Sequence, residues 1–280
     1  MQEISNTSGN TIVELFGRPK ALIGMVHCPP FPGAPRYRGA PPEQLYDACR
    51  RDAEALVANG MHGLIVENHG DIPFRKPDAI GPETAAFMAV VADRIGRELD
   101  VPIGINVLAN APIPALAVAA AAGAAFIRVN QWANAYIANE GFIEGRAAEA
   151  LRYRSALRAE RVKVFADSHV KHGSHAIVAD RDIAELTRDL AFFDADAVIA
   201  TGQRTGDGAS MAEIEAIAAA THLPVLVGSG VTRETVVPIL ERVSAVIVAS
   251  ALKRDGVWWN PVDPLRVRDF VAAAAPALAG

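Results

Sequence analysis

Residues 164–175 read VFADSHVKHGSH. Val164, Phe165 and Ala166 form an apolar run, as expected of a strand buried on both faces. Asp167, His169, Lys171, His172 and His175 crowd into the stretch that follows. A chain that sets so many proton carriers just past a buried strand is building something at the end of that strand. What it builds depends on the neighbouring strands.

Short β-branched runs recur along the whole chain. They are ALIGMVH (21–27), GLIVEN (63–68), PIGINVL (102–108), FIRVN (126–130), VKVFADSH (162–169), AVIAT (197–201), PVLVGSG (224–230) and AVIVAS (245–250). Helical patterns lie between them. Several open on recognisable starts: Pro42-Glu43, Pro82-Glu83 and a capping box from Ser210 to Glu213. Eight strand-then-helix units in 280 residues predict an α/β fold, a (β/α)8 TIM barrel. A doubly wound open sheet is the alternative. No composition shift marks a second domain. The reading is an N-terminal extension over 1–19, one barrel over 20–273 and a C-terminal tail over 274–280.

The connections are asymmetric. Helix-to-strand links such as NGM, ELD and DAD are short. Strand-to-helix links are long, among them CPPFPGAPRYRGAPP, QWANAYIANEGFIEG, VKHGSHAIVA and TGQRTGDGAS. In a barrel the long loops gather at the C-terminal ends of the strands, where barrel active sites lie. The proton carriers of the opening stretch therefore sit at the active mouth.

Composition narrows the partners. A net charge of −5 gives no basic footprint, so no nucleic-acid partner is expected. Cys28 and Cys49 are too few for a disulfide framework and match no zinc spacing, which suits a reducing cytoplasm. Residues 101–127 carry no charge, yet Pro102, Asn106, Asn110, Pro112 and Pro114 interrupt them. They read as buried strand, turn and helix, and no transmembrane segment is expected.

Side chains alternate along a strand, so parity sorts them. Asp167 and His169 share a face with Phe165; Arg128 shares one with Asn130; Glu67 and His69 follow Ile65; His27 and Asn106 end their strands. These residues predict a polar ring at the mouth, costly to bury without a purpose. Glu67 and Asp167, assisted by His169, are the expected acid–base groups. His27, Asn106, Arg128, Asn130, Thr201 and Arg204 are the expected substrate contacts, with Arg204 on a glycine-rich loop suited to closing over a ligand.

VGSGVT (227–232) and VASALKRDG (248–256) supply small residues at the ends of strands 7 and 8. Barrels hold phosphate between these two loops, and small residues let it approach the backbone. Gly228, Ser229, Gly230, Ser250 and Ala251 are the expected phosphate contacts, or else two tight turns that need glycine for geometry alone. No cofactor is required. Alternating carboxylates and imidazoles nonetheless offer a divalent metal a home, with His69, Asp71 and His172 as its candidates beside Glu67, Asp167 and His169. Trp258 and Trp259 suit an oligomer contact, so a homo-oligomer is expected.

The motifs GMVHCPPFPGAPRY, VENHGDIPF, INVLAN, RVNQW, FADSHVKHG, ATGQRTG, VGSGVT and ASALKRDG together resemble the BtpA family, which includes the SgcQ-like proteins, from about Lys20 to Phe270. The resemblance implies a barrel. It also implies a role in photosystem I biogenesis or stabilisation in cyanobacteria, peripheral to thylakoid membranes. Members in organisms without photosynthesis, and SgcQ-like proteins among sugar-metabolism genes, argue against that role as a general one. The residues themselves favour a cytoplasmic acid–base enzyme on a phosphorylated sugar or nucleotide-like molecule: an isomerase, lyase or glycosidic hydrolase. The alternative is a non-catalytic assembly factor, which has little reason to line a barrel mouth with carboxylates and imidazoles. A phosphate-ligand sensor would keep the anchor and lose the acid–base pair.

Overall fold

The computed structural model describes residues 10–202 and 208–279. Among them eight parallel strands close into a barrel: β1 (Ala21–His27), β2 (Gly63–Glu67), β3 (Ile103–Asn106), β4 (Phe126–Val129), β5 (Lys163–Asp167), β6 (Ala197–Ala200), β7 (Val225–Val227) and β8 (Ala245–Val248). Each strand pairs with its neighbour in sequence, and β8 returns to β1 with Ala21 opposite Ala245. The helices are α1 (Thr11–Phe16), α2 (Pro42–Ala58), α3 (Pro82–Glu98), α4 (Pro112–Ala122), α5 (Ala147–Ala156), α6 (Ile183–Phe192), α7 (Met211–Ala220), α8 (Val236–Leu240) and α9 (Pro264–Leu278). The expected starts hold. Proline opens α2 and α3, where its missing N–H costs nothing. Ser210 caps α7, accepting from the Glu213 N–H at 3.1 Å.

Strand parity divides the core in two. Ile23, Met25, Ile65, Phe126, Phe165, Ile199, Leu226 and Ile247 fill the barrel. Leu22, Val26, Leu64, Val66, Ile127, Val164, Val198 and Val246 face the helices. Phe126 and Phe165 stack with ring centres 4.4 Å apart. Room for Phe126 comes from Gly104, where a Cβ would fall 2.2 Å from its ring. The interior is therefore solid below the mouth.

Three features differ from the sequence reading. The N-terminal segment is not only an extension: α1 sends Ile12 into the inner core and sets Phe16 edge-on to Phe126 at 6.1 Å. It plugs the barrel end opposite the mouth, where the apolar interior would otherwise meet water. The proposed tail boundary falls inside α9, and Ala274 and Ala277 are buried against the core, so the helix is continuous through it. The fourth strand-to-helix link is folded. Ala135–Ala138 and Gly141–Glu144 form an antiparallel hairpin, and Gly173–Ser174 from the link after β5 adds a third strand. Residues 101–127 resolve as β3, a turn and the buried α4, as expected. No helix of the described residues is long and apolar enough to cross a membrane.

Candidate active site

At the C-terminal ends of the strands lies a cavity of about 610 Å³. That is ample for a small metabolite. Strands β1, β2 and β4 deliver His27, Glu67 and Arg128 to it by the parity above, the turns after β2 and β4 deliver His69 and Asn130, and the link after β5 delivers Lys171. The hairpin roofs part of it with Tyr136, Ala138, Asn139 and Glu140.

Glu67 is the hub. Its Oε1 lies 2.8 Å from His69 Nδ1 and 3.6 Å from His27 Nε2. Its Oε2 accepts from Asn106 Nδ2 at 2.5 Å. Burial pushes this carboxyl up, but the His69 hydrogen bond and the positive charge around it win and hold it below the usual carboxylate range. The two imidazoles stack with centres 4.4 Å apart. Trp258 sets its ring edge against His69, with centres 4.3 Å apart. His27 Nδ1 lies 3.2 Å from the Trp258 carbonyl. That oxygen can only accept, so Nδ1 carries the hydrogen. Burial, with repulsion from His69, pulls the His27 pKa down to about 3, so the ring is neutral near pH 7.

Asp167 is differently placed. Its side chain is fully shielded, and it does not line the cavity. Arg128 grips it with Nε to Oδ1 and Nη2 to Oδ2, both at 3.0 Å. Asn130 Nδ2 adds a third bond at 3.3 Å. Burial alone would lower the Arg128 pKa; the Asp167 charge reverses this and raises it. Asp167 thus orients a cation rather than presenting a free carboxylate. The expected helper His169 turns away from the cavity. It packs on His175 with ring centres 3.8 Å apart, and its Nδ1 is 4.0 Å from Glu213. Burial and His175 lower its pKa to about 4.

The remaining expected contacts divide in the same way. His27, Arg128 and Asn130 line the cavity, while Asn106 and Thr201 are buried behind it. Asn106 braces Glu67, and Thr201 Oγ1 donates to the His169 carbonyl at 2.8 Å. Arg204 lies outside the described residues. Gly228, Ser229, Gly230, Ser250 and Ala251 all line the cavity. A Cβ on Gly228 would come within 2.7 Å of Ile199 Cγ2 and 3.3 Å of Arg128 Nη2. Glycine there lets the guanidinium lie against the β7 turn. Gly230 holds φ at +66°, a conformation that favours glycine.

Of the metal candidates, His69 joins His27 and Glu67 in a group whose ligand atoms all lie within 4.8 Å of one another. Asp71 does not. It accepts from the Phe31 N–H at 2.9 Å and Asn68 Nδ2 at 3.1 Å, tying the first two long links together. His172 lines the cavity outside that group.

Lys171 is the residue that strand logic undervalues. It lies beyond β5 but folds back to line the cavity. Burial, then repulsion from Arg128, lower its pKa to about 8, partly offset by Glu67 and Asp167. An amine so placed exchanges protons near neutral pH. Its signal in the sequence was the crowding of proton carriers after β5; what hid it was the return path that Gly173–Ser174 makes by pairing with the hairpin.

Comparisons with known proteins agree on fold and lineage. The family model described as BtpA family matches residues 18–276. An uncharacterized protein of Archaeoglobus fulgidus is 40% identical over 255 residues, covering 91% of this chain and 98% of that protein. The Photosystem I biogenesis protein BtpA of Synechocystis is 36% identical over 268 residues, covering 95% of this chain and 92% of that protein. Among solved structures, (S)-3-O-geranylgeranylglyceryl phosphate synthase from Thermoplasma acidophilum, in complex with sn-glycerol-1-phosphate, superposes with a TM-score of 0.59. It covers 94% of this chain and 96% of its own at 13% identity, a likeness of fold alone. The match over nearly the whole sequence settles the lineage: the chain belongs to the BtpA family.

Proposed function

We propose that this chain is an enzyme acting on a phosphorylated small molecule, a sugar phosphate or nucleotide-like compound, by acid–base chemistry of the isomerase, lyase or glycosidic-hydrolase type. One observation carries the reading. A single cavity is lined by the small-residue turns after β7 and β8 and by Glu67, His27, His69, Arg128 and Lys171. The turns suit a phosphate, which approaches backbone N–H groups where side chains are small. Arg128, against the β7 turn, adds a fixed positive charge. Glu67 and Lys171 are the proton carriers, Asp167 and Asn106 position them and their neighbours, and Asn130 orients a ligand hydroxyl. A structural neighbour crystallised with a glycerol phosphate supports the reading by analogy of fold.

The Synechocystis relative's name supports a second reading, a factor in photosystem I biogenesis. The Archaeoglobus fulgidus relative, of greater identity at 40% against 36%, carries no such name, and the polar cavity favours the first reading. Trp259, 69% exposed, is the expected contact of a homo-oligomer, which sedimentation equilibrium measures.

A thermal-shift panel tests the proposal with inorganic phosphate, sugar phosphates, nucleotides and their unphosphorylated counterparts. A ligand at a hundred times its Kd adds about 2.7 kcal/mol of stability. Phosphorylated members should raise the melting temperature and their counterparts should not. Equal shifts within each pair, or none, would remove the phosphate reading.

A further inference from the structure

We propose that His27, Glu67 and His69 bind one divalent transition-metal ion of the zinc class at the wall of the cavity. Three observations point there. First, the ligand atoms converge: all lie within 4.8 Å of one another, on side chains only 6%, 7% and 16% exposed. Two donors each about 2.1 Å from a tetrahedral ion lie roughly 3.4 Å apart, and His27 Nε2 and Glu67 Oε1 are 3.6 Å apart. Second, the tautomer is set for it. With Nδ1 directed at the Trp258 carbonyl, the His27 ring turns Nε2 toward the carboxylate oxygen that His69 also faces. Carbonyl-anchored imidazoles of this kind are how proteins orient metal-ligating histidines. Third, the outer support is present. Asn106 holds Oε2 of Glu67, leaving Oε1 for the imidazoles, and its own buried Oδ1 has no hydrogen-bond partner among the described residues.

Three protein ligands beside an open cavity describe a catalytic rather than a structural site, because a fourth position remains for water or substrate. Binding through His69 Nδ1 would replace its hydrogen bond to Glu67 and move the ring hydrogen to Nε2, leaving a neutral imidazole as the ligand. Glu67 then serves as a ligand, and proton transfer falls to Lys171. The ion polarises a carbonyl or hydroxyl of the bound molecule. That role, though not the binding itself, rests on reading the cavity as an enzyme's.

The test uses the full chain, freed of any affinity tag and stripped with a chelator, without phosphorylated ligand. Cobalt(II) is titrated and followed by visible absorption, and zinc by calorimetry and elemental analysis of the dialysed protein. One ion per chain is expected, with visible bands of a low-symmetry nitrogen–oxygen site. His27→Ala and His69→Ala should each cut occupancy at least tenfold, and His172→Ala, in the same cavity but outside the group, should leave it unchanged. Circular dichroism melts show whether each variant folds; where one does not, the wild-type stoichiometry and spectrum still decide. No ion retained by the wild type, or retention equal in a folded double His27→Ala, His69→Ala variant, would overturn the site. The phosphate panel run on chelator-treated protein keeps its failure separate from failure of the metal.

Discussion

Replacing Asp167 with Asn keeps the shape of the side chain and removes its charge. In the native protein both carboxylate oxygens are committed, to Arg128 at 3.0 Å twice and to Asn130 at 3.3 Å. The pair is shielded from water, with side-chain exposures of 4% and 0%. Losing one member of a buried pair costs about 3–5 kcal/mol, because the other charge is stranded. An amide still offers one acceptor to the guanidinium, which puts Asp167→Asn near the lower end, about 3 kcal/mol. For a domain of this size that lowers Tm by roughly 6–12 °C. Urea unfolding followed by near- and far-ultraviolet circular dichroism reads the change, and coincident transitions check that one step is being measured. The double variant Arg128→Met, Asp167→Leu removes both charges and should recover at least half the loss, since well-packed apolar replacements of buried pairs are often near neutral. A loss under about 1 kcal/mol for Asp167→Asn would show that the pair is not the buried clamp inferred above.

Further outcomes follow from the same geometry. Lys171 should titrate near pH 8. Its folded value lies below the unfolded value of about 10.5, so charging it costs the folded state below pH 8, and the cost is relieved as pH rises from about 8 to 10.5. Stability of the wild type relative to Lys171→Met should therefore rise across that window; a flat difference would contradict the burial that lowers it. Gly228→Ala should cost about 1–3 kcal/mol by overpacking against Ile199 and should weaken phosphate binding by displacing Arg128. Calorimetry with the best phosphorylated ligand reads the second effect, and wild-type affinity in a folded Gly228→Ala protein would count against the Arg128 assignment. Ser250→Asp places a carboxylate where the phosphate is proposed to sit and should reduce its affinity at least tenfold, about 1.4 kcal/mol, with little change in melting temperature.

The barrel was legible because its signal is repeated eight times along the chain. Parity then placed Phe165 and Ile65 inside and Val164 and Val66 outside, as the structure has them. The same logic brought His27, Glu67 and Arg128 to one cavity, since strands fix direction. It weakens one residue past a strand end. His169 continues the parity of Asp167 but lies in the link, where Thr201 holds its backbone and the ring turns to His175. Lys171 falls at the mouth with the other proton carriers but gains no role from the sequence, because it lies past the strand end and parity does not reach it; the doubled-back link brings it to the cavity. The hairpin was hidden because QWANAYIANEGFIEG reads first as a polar link; its alternation, Ala135-Tyr136-Ile137-Ala138 against Gly141-Phe142-Ile143-Glu144, becomes a pairing only with a turn between. The distinction between Asp167 and Glu67 was invisible at the level of residue type. Both are carboxylates that parity points inward, and only the reach of Arg128 decides which is consumed.

The turns after β7 and β8 are proposed to hold a phosphate. Tungstate, a heavy tetrahedral oxyanion that mimics phosphate, locates such a site in a soaked crystal by its anomalous scattering. The expected peak lies in the cavity, within hydrogen-bond reach of the 228–230 and 250–251 backbone and beside Arg128. A strong peak elsewhere, with none at these turns, would contradict it.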